Sequence, residues 1–119
     1  MDITVRETIK LKIKSIGENI KILSPDELSE NLVELSSLYA NFSEGLTGLE
    51  QVYAQKKLEF LTGEKKISVA EATLYSETTP EYKEFAEARR LEKALVEVIR
   101  SIKVRIRLLG SEYEVCSNS

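Results

Sequence analysis

The chain has 119 residues, 42% hydrophobic and 31% charged, with a net charge of −3. No apolar run approaches the ~18 residues of a membrane span, Leu, Ile and Val are too plentiful for full disorder, and five Gly with two Pro are too few for a loop-rich β-sandwich. With no His and a single Cys, Cys116, the commonest general base, a Cys/His zinc site and an internal disulfide are all missing.

The first 23 residues carry two patterns at once. Ile9, Leu11 and Ile13 alternate with Lys10, Lys12 and Lys14, as in a strand. Ile9, Ile13, Ile16, Ile20 and Leu23 fit a helix equally well. A Thr4-Val5-Arg6-Glu7 capping box and the helical character of the rest favour the helix, since a lone strand would have no sheet to join. The start MDITVRETIKLKIK holds no apolar core of the signal-peptide kind, so a cytoplasmic protein is expected.

At Ser24-Pro25-Asp26-Glu27 the signals of a helix start converge. Ser24 caps, Pro25 takes the first helical position, Glu27 completes a capping box, and Leu23 and Leu28 occupy the positions of a hydrophobic staple. Leu28, Leu32, Leu35, Tyr39, Phe42, Leu46, Leu49 and Tyr53 then step by four and three; Lys56 interrupts the series and Phe60 resumes it. This heptad seam predicts a helix over 25–62, ~57 Å long, ended by Gly63 in the left-handed capping position. Gly45 and Gly48 inside it cost ~1 kcal/mol each relative to Ala and mark a bend, or less commonly a close backbone approach.

Ser68-Val69-Ala70-Glu71 opens a short helix over 68–77, and Thr79-Pro80-Glu81 opens the last one. In the latter, Leu91, Leu95, Val98, Ile102 and Leu109 repeat the stepping, with Arg105 in the missing place and Gly110 as the stop. The expected fold is all-α: an N-terminal amphipathic segment (1–23), a helical-hairpin domain (24–113) with two long antiparallel helices and a short connecting one, and a disordered tail (114–119). Val98, Ile99, Ile102 and Ile106 make the last stripe wider than one partner helix needs, which predicts a homo-oligomer.

Charge is unevenly spread. Residues 24–62 hold Lys56 and Lys57 against seven acids, and residues 80–110 hold eight bases against five acids. The two halves are expected to attract each other, and the basic half suits an anionic partner. Arg89, Lys93, Arg100, Lys103 and Arg107 follow the four-and-three stepping as one positive stripe, ~27 Å long. Such tracks bind single-stranded nucleic acid when joined by stacking aromatics, for which Tyr75, Tyr82, Phe85 and Tyr113 are candidates. The blander reading pairs the stripe with Glu92, Glu97 and the acids of the first long helix. Arg105, inside the apolar series, either snorkels to the edge or pairs with an acid of the partner helix. It is expected at a different level from Lys56, the cation in the matching gap.

Catalytic chemistry finds little footing. Gly45-Leu46-Thr47-Gly48 lacks the spacing and the Lys of a phosphate loop, and Glu84 with Glu87 lacks the His of a carboxylate metal site. No enzyme, cofactor or metal is expected.

From Leu38 onward the sequence resembles small helical-hairpin proteins of phage recombination and replication modules. The resemblance is carried by Tyr53-Ala54-Gln55-Lys56-Lys57, Gly63-Glu64-Lys65-Lys66, Val69-Ala70-Glu71-Ala72 and Pro80-Glu81-Tyr82, with Leu91 to Leu109 as a closing helix. It is more distantly similar to the UvsY family of recombination mediators of T-even phages, which shares an Ala-Gln-Lys-Lys stretch late in its long helix. The resemblance implies an oligomer, in the cytoplasm of an infected or lysogenic prokaryotic host, that binds single-stranded DNA and helps load a recombinase in place of a single-strand-binding protein. Lys56, Lys57, Lys65 and Lys66 would form a second group of DNA contacts beside the stripe. Two other classes stay open: a coiled-coil adaptor, virion or assembly component, and a phage inhibitor docking on a host protein.

Overall fold

The computed structural model describes residues 3–63 and 66–118. Among these residues there are four helices and no strand: α1 (Ile3–Asn19), α2 (Pro25–Leu61), α3 (Val69–Ser76) and α4 (Pro80–Asn118). The ambiguous N-terminal segment is helical because that choice buries Ile9 and Ile16. The strand pattern loses at Leu11, which the helix leaves 68% exposed. Thr4 lies within the first turn, since α1 already starts at Ile3, so the Thr4 box is not the cap.

The later starts form as their chemistry dictates. The Ser24 N–H donates to Glu27 Oε1 at 3.1 Å and the Glu27 N–H to Ser24 Oγ at 3.2 Å, a closed capping box. At α3, Ser68 Oγ accepts from the Glu71 N–H at 3.1 Å and donates its own proton to Glu71 Oε1 at 3.2 Å. Thr79 links α3 to α4: its buried hydroxyl donates to the Ser76 carbonyl at 2.6 Å and accepts from the Tyr82 N–H at 3.3 Å.

The expected stops behave differently. No described residue has a positive φ, so Gly63 is not a left-handed cap. Thr62 ends α2 instead, its N–H and its hydroxyl both donating to the Leu58 carbonyl, at 2.9 and 3.0 Å. Gly110 ends nothing. A helical glycine weakens a helix by ~1 kcal/mol but stops it only with a left-handed turn, and α4 continues to Asn118 through the segment expected to be disordered.

The core follows a seven-residue rhythm on all three longer helices. Ile9 and Ile16, then Leu28, Leu35, Phe42 and Leu49, then Ala88, Leu95 and Ile102 are buried. Coiled-coil seams repeat in this way with two inward positions per heptad, and Leu46 and Leu91, buried between these residues, take the second. Ile13 and Ile20 of α1 and Ile99 and Ile106 of α4 pack at its margin. The surplus width of the α4 stripe is thus met within the chain by α1, which packs on α4.

Polar and aromatic contacts mark how the ends meet. Tyr53 near the end of α2 stacks on Phe85 at 5.6 Å and meets Tyr82 at 5.2 Å, both early in α4. Its hydroxyl lies 3.3 Å from the buried Ser76 Oγ. Arg6 of α1 pairs with Glu84 at 3.1 Å, and Lys12 pairs with Glu34 of α2. The molecule measures 75 × 26 × 20 Å.

Leu95 is fully buried, and Leu95→Ala is expected to lower the unfolding free energy by ~2–5 kcal/mol. α2 runs unbroken through Gly45 and Gly48, and a Cβ at Gly48 would meet nothing within 4 Å, so no backbone approaches there. Gly48→Ala is expected to raise stability by ~1 kcal/mol. Urea unfolding followed by circular dichroism checks both signs.

Candidate nucleic-acid interface

The heptad rhythm decides where the charges go. Once Ala88, Leu95 and Ile102 face inward, residues one and five positions later along each heptad face outward. Those positions hold Arg89, Lys93, Arg100, Lys103 and Arg107, and all five are exposed. The structure adds Lys83 and Arg90 to this surface. Over residues 80–110 of α4, seven exposed bases stand against two exposed acids, Glu87 and Glu97. Arg90 escaped the stepping because it lies one position to the side, a place that only a three-dimensional helix face brings into line.

Little of this charge is neutralised. Arg100 pairs with Glu97 of its own helix at 2.7 Å, an exposed pair of small energetic weight. Arg89 sits over the Phe85 ring at 5.9 Å. Arg90, Lys93, Lys103 and Arg107 make no ion pair among the described residues. The expected attraction between acidic and basic halves, and the pairing of the stripe with acids of α2, are therefore not what the fold uses. The two helices meet through apolar seams, and their charges point away on separate faces. All seven acids of α2 are exposed. Of these, Asp26, Glu30, Glu44 and Glu50 are without an ion pair among the described residues.

The second basic group is not one surface. Lys56 is half-buried and pairs with Glu59 at 3.3 Å and with Glu81 of α4 at 4.0 Å, so its charge is already answered. Lys57 is half-buried and Lys66 exposed; Lys65 lies outside the described residues. The stacking aromatics are largely spent elsewhere. Tyr82 and Phe85 are half-buried and cluster with Tyr53, and Tyr75 meets Phe60 at 5.9 Å. The side chain of Tyr113 lies outside the described part. With Tyr82 and Phe85 engaged by Tyr53, the track's cations are suited to phosphates more than to bases.

Arg105 does not pair with an acid of α2 among the described residues. Its guanidinium reaches the edge of the seam and donates to the Lys21 backbone carbonyl at 3.3 Å, tying α4 to the turn between α1 and α2. Its Nε is buried without a partner. Lys56 meets Glu81 and Arg105 meets Lys21, so the two seam cations do sit at different levels. Glu84 is taken by Arg6, and no group of three or more acids or cysteines able to hold a metal occurs among the described residues. Nor is any helix there long and apolar enough to cross a membrane.

Lys56→Met is expected to leave nucleic-acid affinity unchanged, because the Lys56 charge faces Glu59 and Glu81. Fluorescence anisotropy with a labelled oligonucleotide reads this directly, and a marked loss of affinity would put Lys56 back on the binding surface.

No known family matches the chain, and neither the curated proteins nor the solved structures compared with it contain a similar one.

Proposed function

We propose that this chain is a non-enzymatic accessory of phage-type recombination or replication, which grips single-stranded DNA through the outer face of α4 and assists recombinase loading. The observation that carries this reading is the exposed basic track of α4, in which Arg90, Lys93, Lys103 and Arg107 make no ion pair among the described residues. α2 and α4 are read as an antiparallel hairpin whose apolar seam holds the track straight for ~27 Å. The exposed acids of α2 repel phosphates from the other side and so orient the molecule on a nucleic-acid strand.

With a net charge of −3, one copy binds weakly, and an oligomer gains by adding phosphate contacts on one strand. Such an oligomer, working beside a recombinase and a single-strand-binding protein in the host cytoplasm, fits the resemblance drawn from Tyr53-Ala54-Gln55-Lys56-Lys57 and Val69-Ala70-Glu71-Ala72. The second reading is a coiled-coil adaptor. It is favoured by the unpaired acids of α2 and by exposed apolar side chains such as Ile22 and Val33, 79% and 71% accessible, which suit protein partners better than DNA.

Because phosphate contacts dominate, affinity should fall steeply with salt and depend little on base sequence. The double reversal Arg90→Glu with Lys93→Glu is expected to weaken binding at least roughly tenfold at ~50 mM salt and to flatten the salt slope, with helicity unchanged. Anisotropy titrations at two salt concentrations, with circular dichroism alongside, measure both. If the unaltered chain does not bind at ~50 mM salt, the adaptor reading leads.

A further inference from the structure

Beside the basic track, where α4 passes the turn between α1 and α2, lies a groove of about 370 Å³. Its apolar part is Ile20 with Val104 and Leu108, the last two 46% and 51% exposed. Its polar part is Lys21, Arg100 and Arg105 with the hydroxyl of Ser101. Arg100 pairs with the exposed Glu97 of its own helix at 2.7 Å, Arg105 donates to the Lys21 carbonyl, and among the described residues Lys21 and Arg105 make no ion pair. An apolar trough lined by three cations, with no acid in its lining, fits a helix that carries acids beside a protruding apolar side chain; the exposed Arg100–Glu97 pair is weak enough to exchange for it.

The same chain presents such a helix. Asp26, Glu30 and Val33 are spaced four and three apart at the start of α2, so they share one face, and all three are exposed. Val33 is 71% exposed, and Ile22, just ahead of the helix, is 79% exposed. Asp26 and Glu30 have no ion pair among the described residues. Groove and acidic stripe share one end of the molecule, because Ile20 and Lys21 of the groove lead straight through the turn into Ile22 and α2. Two copies turned about a two-fold axis at that end can each place the stripe in the other's groove, a closed, self-complementary contact that does not propagate into a filament.

We infer that the occupant of this groove is a second copy of the chain, whose Asp26–Glu30–Val33 face docks on Ile20, Val104 and Leu108 while its acids meet Lys21 and Arg100. The inference rests on the proposed function only in supplying the oligomer that function calls for. The dimer engages Arg100, one base of the track, and leaves the earlier part, Arg89, Arg90 and Lys93, to an anionic strand in each copy.

The experiment is sedimentation equilibrium with light scattering on the full chain, without nucleic acid, at ~50 and ~500 mM salt. A species of twice 13.5 kDa is expected, weakening as salt rises. Arg100→Glu and Glu30→Arg should each weaken the dimer roughly tenfold or more, and their combination should restore it, because the charges then match across the axis again. Leu108→Glu should give a monomer of unchanged helicity. Rescue by the charge swap separates docking from mere damage to the fold.

A wild-type chain that stays monomeric to roughly 100 μM overturns the inference and leaves the groove to an acidic helix of another protein. A dimer indifferent to both reversals overturns it as well. A monomer that still binds DNA fails this inference alone. A swap-rescued dimer that binds no DNA upholds it while the nucleic-acid reading fails.

Discussion

Everything in this molecule depends on one spacing: a buried apolar side chain every seventh residue on each long helix. Leu28, Leu35, Phe42 and Leu49 on α2 and Ala88, Leu95 and Ile102 on α4 form the buried spine. A helix shows the same face every seven residues only when it is slightly underwound, so such a sequence commits its helices to run side by side along their length. The single domain is consequently long and thin at 75 × 26 × 20 Å, and its surface is large for its core. Each buried leucine contributes ~1.5–3 kcal/mol by leaving water, and there are few to spare, which is why the ends carry extra fastenings. Tyr53 with Phe85 and Ser76 closes one end, and Arg105 on the Lys21 carbonyl closes the other.

The same spacing explains the electrostatics. Acidic and basic residues are concentrated on different helices, and simple attraction would bring them face to face. Burying ion pairs along a seam costs desolvation that well-packed leucines avoid, so the seam is apolar and the charges are left outside. Among the described residues, Lys56 and Glu81 are the one ion pair between α2 and α4. The molecule is left with an acidic face on α2 and a basic face on α4, neither neutralised by the other. Unneutralised faces of opposite sign are what both the nucleic-acid reading and the self-docking inference draw on, and the two overlap at Arg100.

α1 changes the meaning of the apolar surplus on α4. A two-helix hairpin would leave Ile99 and Ile106 without cover, and oligomer formation would follow from that need alone. With Ile13 and Ile20 at the same margin, the need disappears. The apolar side chains left most exposed around the α1–α2 turn and the facing part of α4 are Ile22, Val33, Val104 and Leu108.

The sequence by itself determined the helices and their starts, because caps and heptads are local: Ser24 and Glu27 are three residues apart, and Leu28 to Leu49 is a single stretch of chain. It also placed the basic stripe, since five of the exposed bases follow the helical period. Helix ends were less legible. Gly63 and Gly110 were read from glycine's habit of taking a left-handed turn, but no described residue takes one: α2 ends at Thr62 with its N–H still bonded to the Leu58 carbonyl, and α4 runs on past Gly110. Only the tertiary structure decided which aromatics are free, what Arg105 touches and whether opposite charges meet. Tyr82 and Phe85 are withdrawn from any ligand by Tyr53, which lies far away in sequence. Those outcomes depend on which helix faces lie against each other, and a periodic pattern names the faces without saying which two will meet.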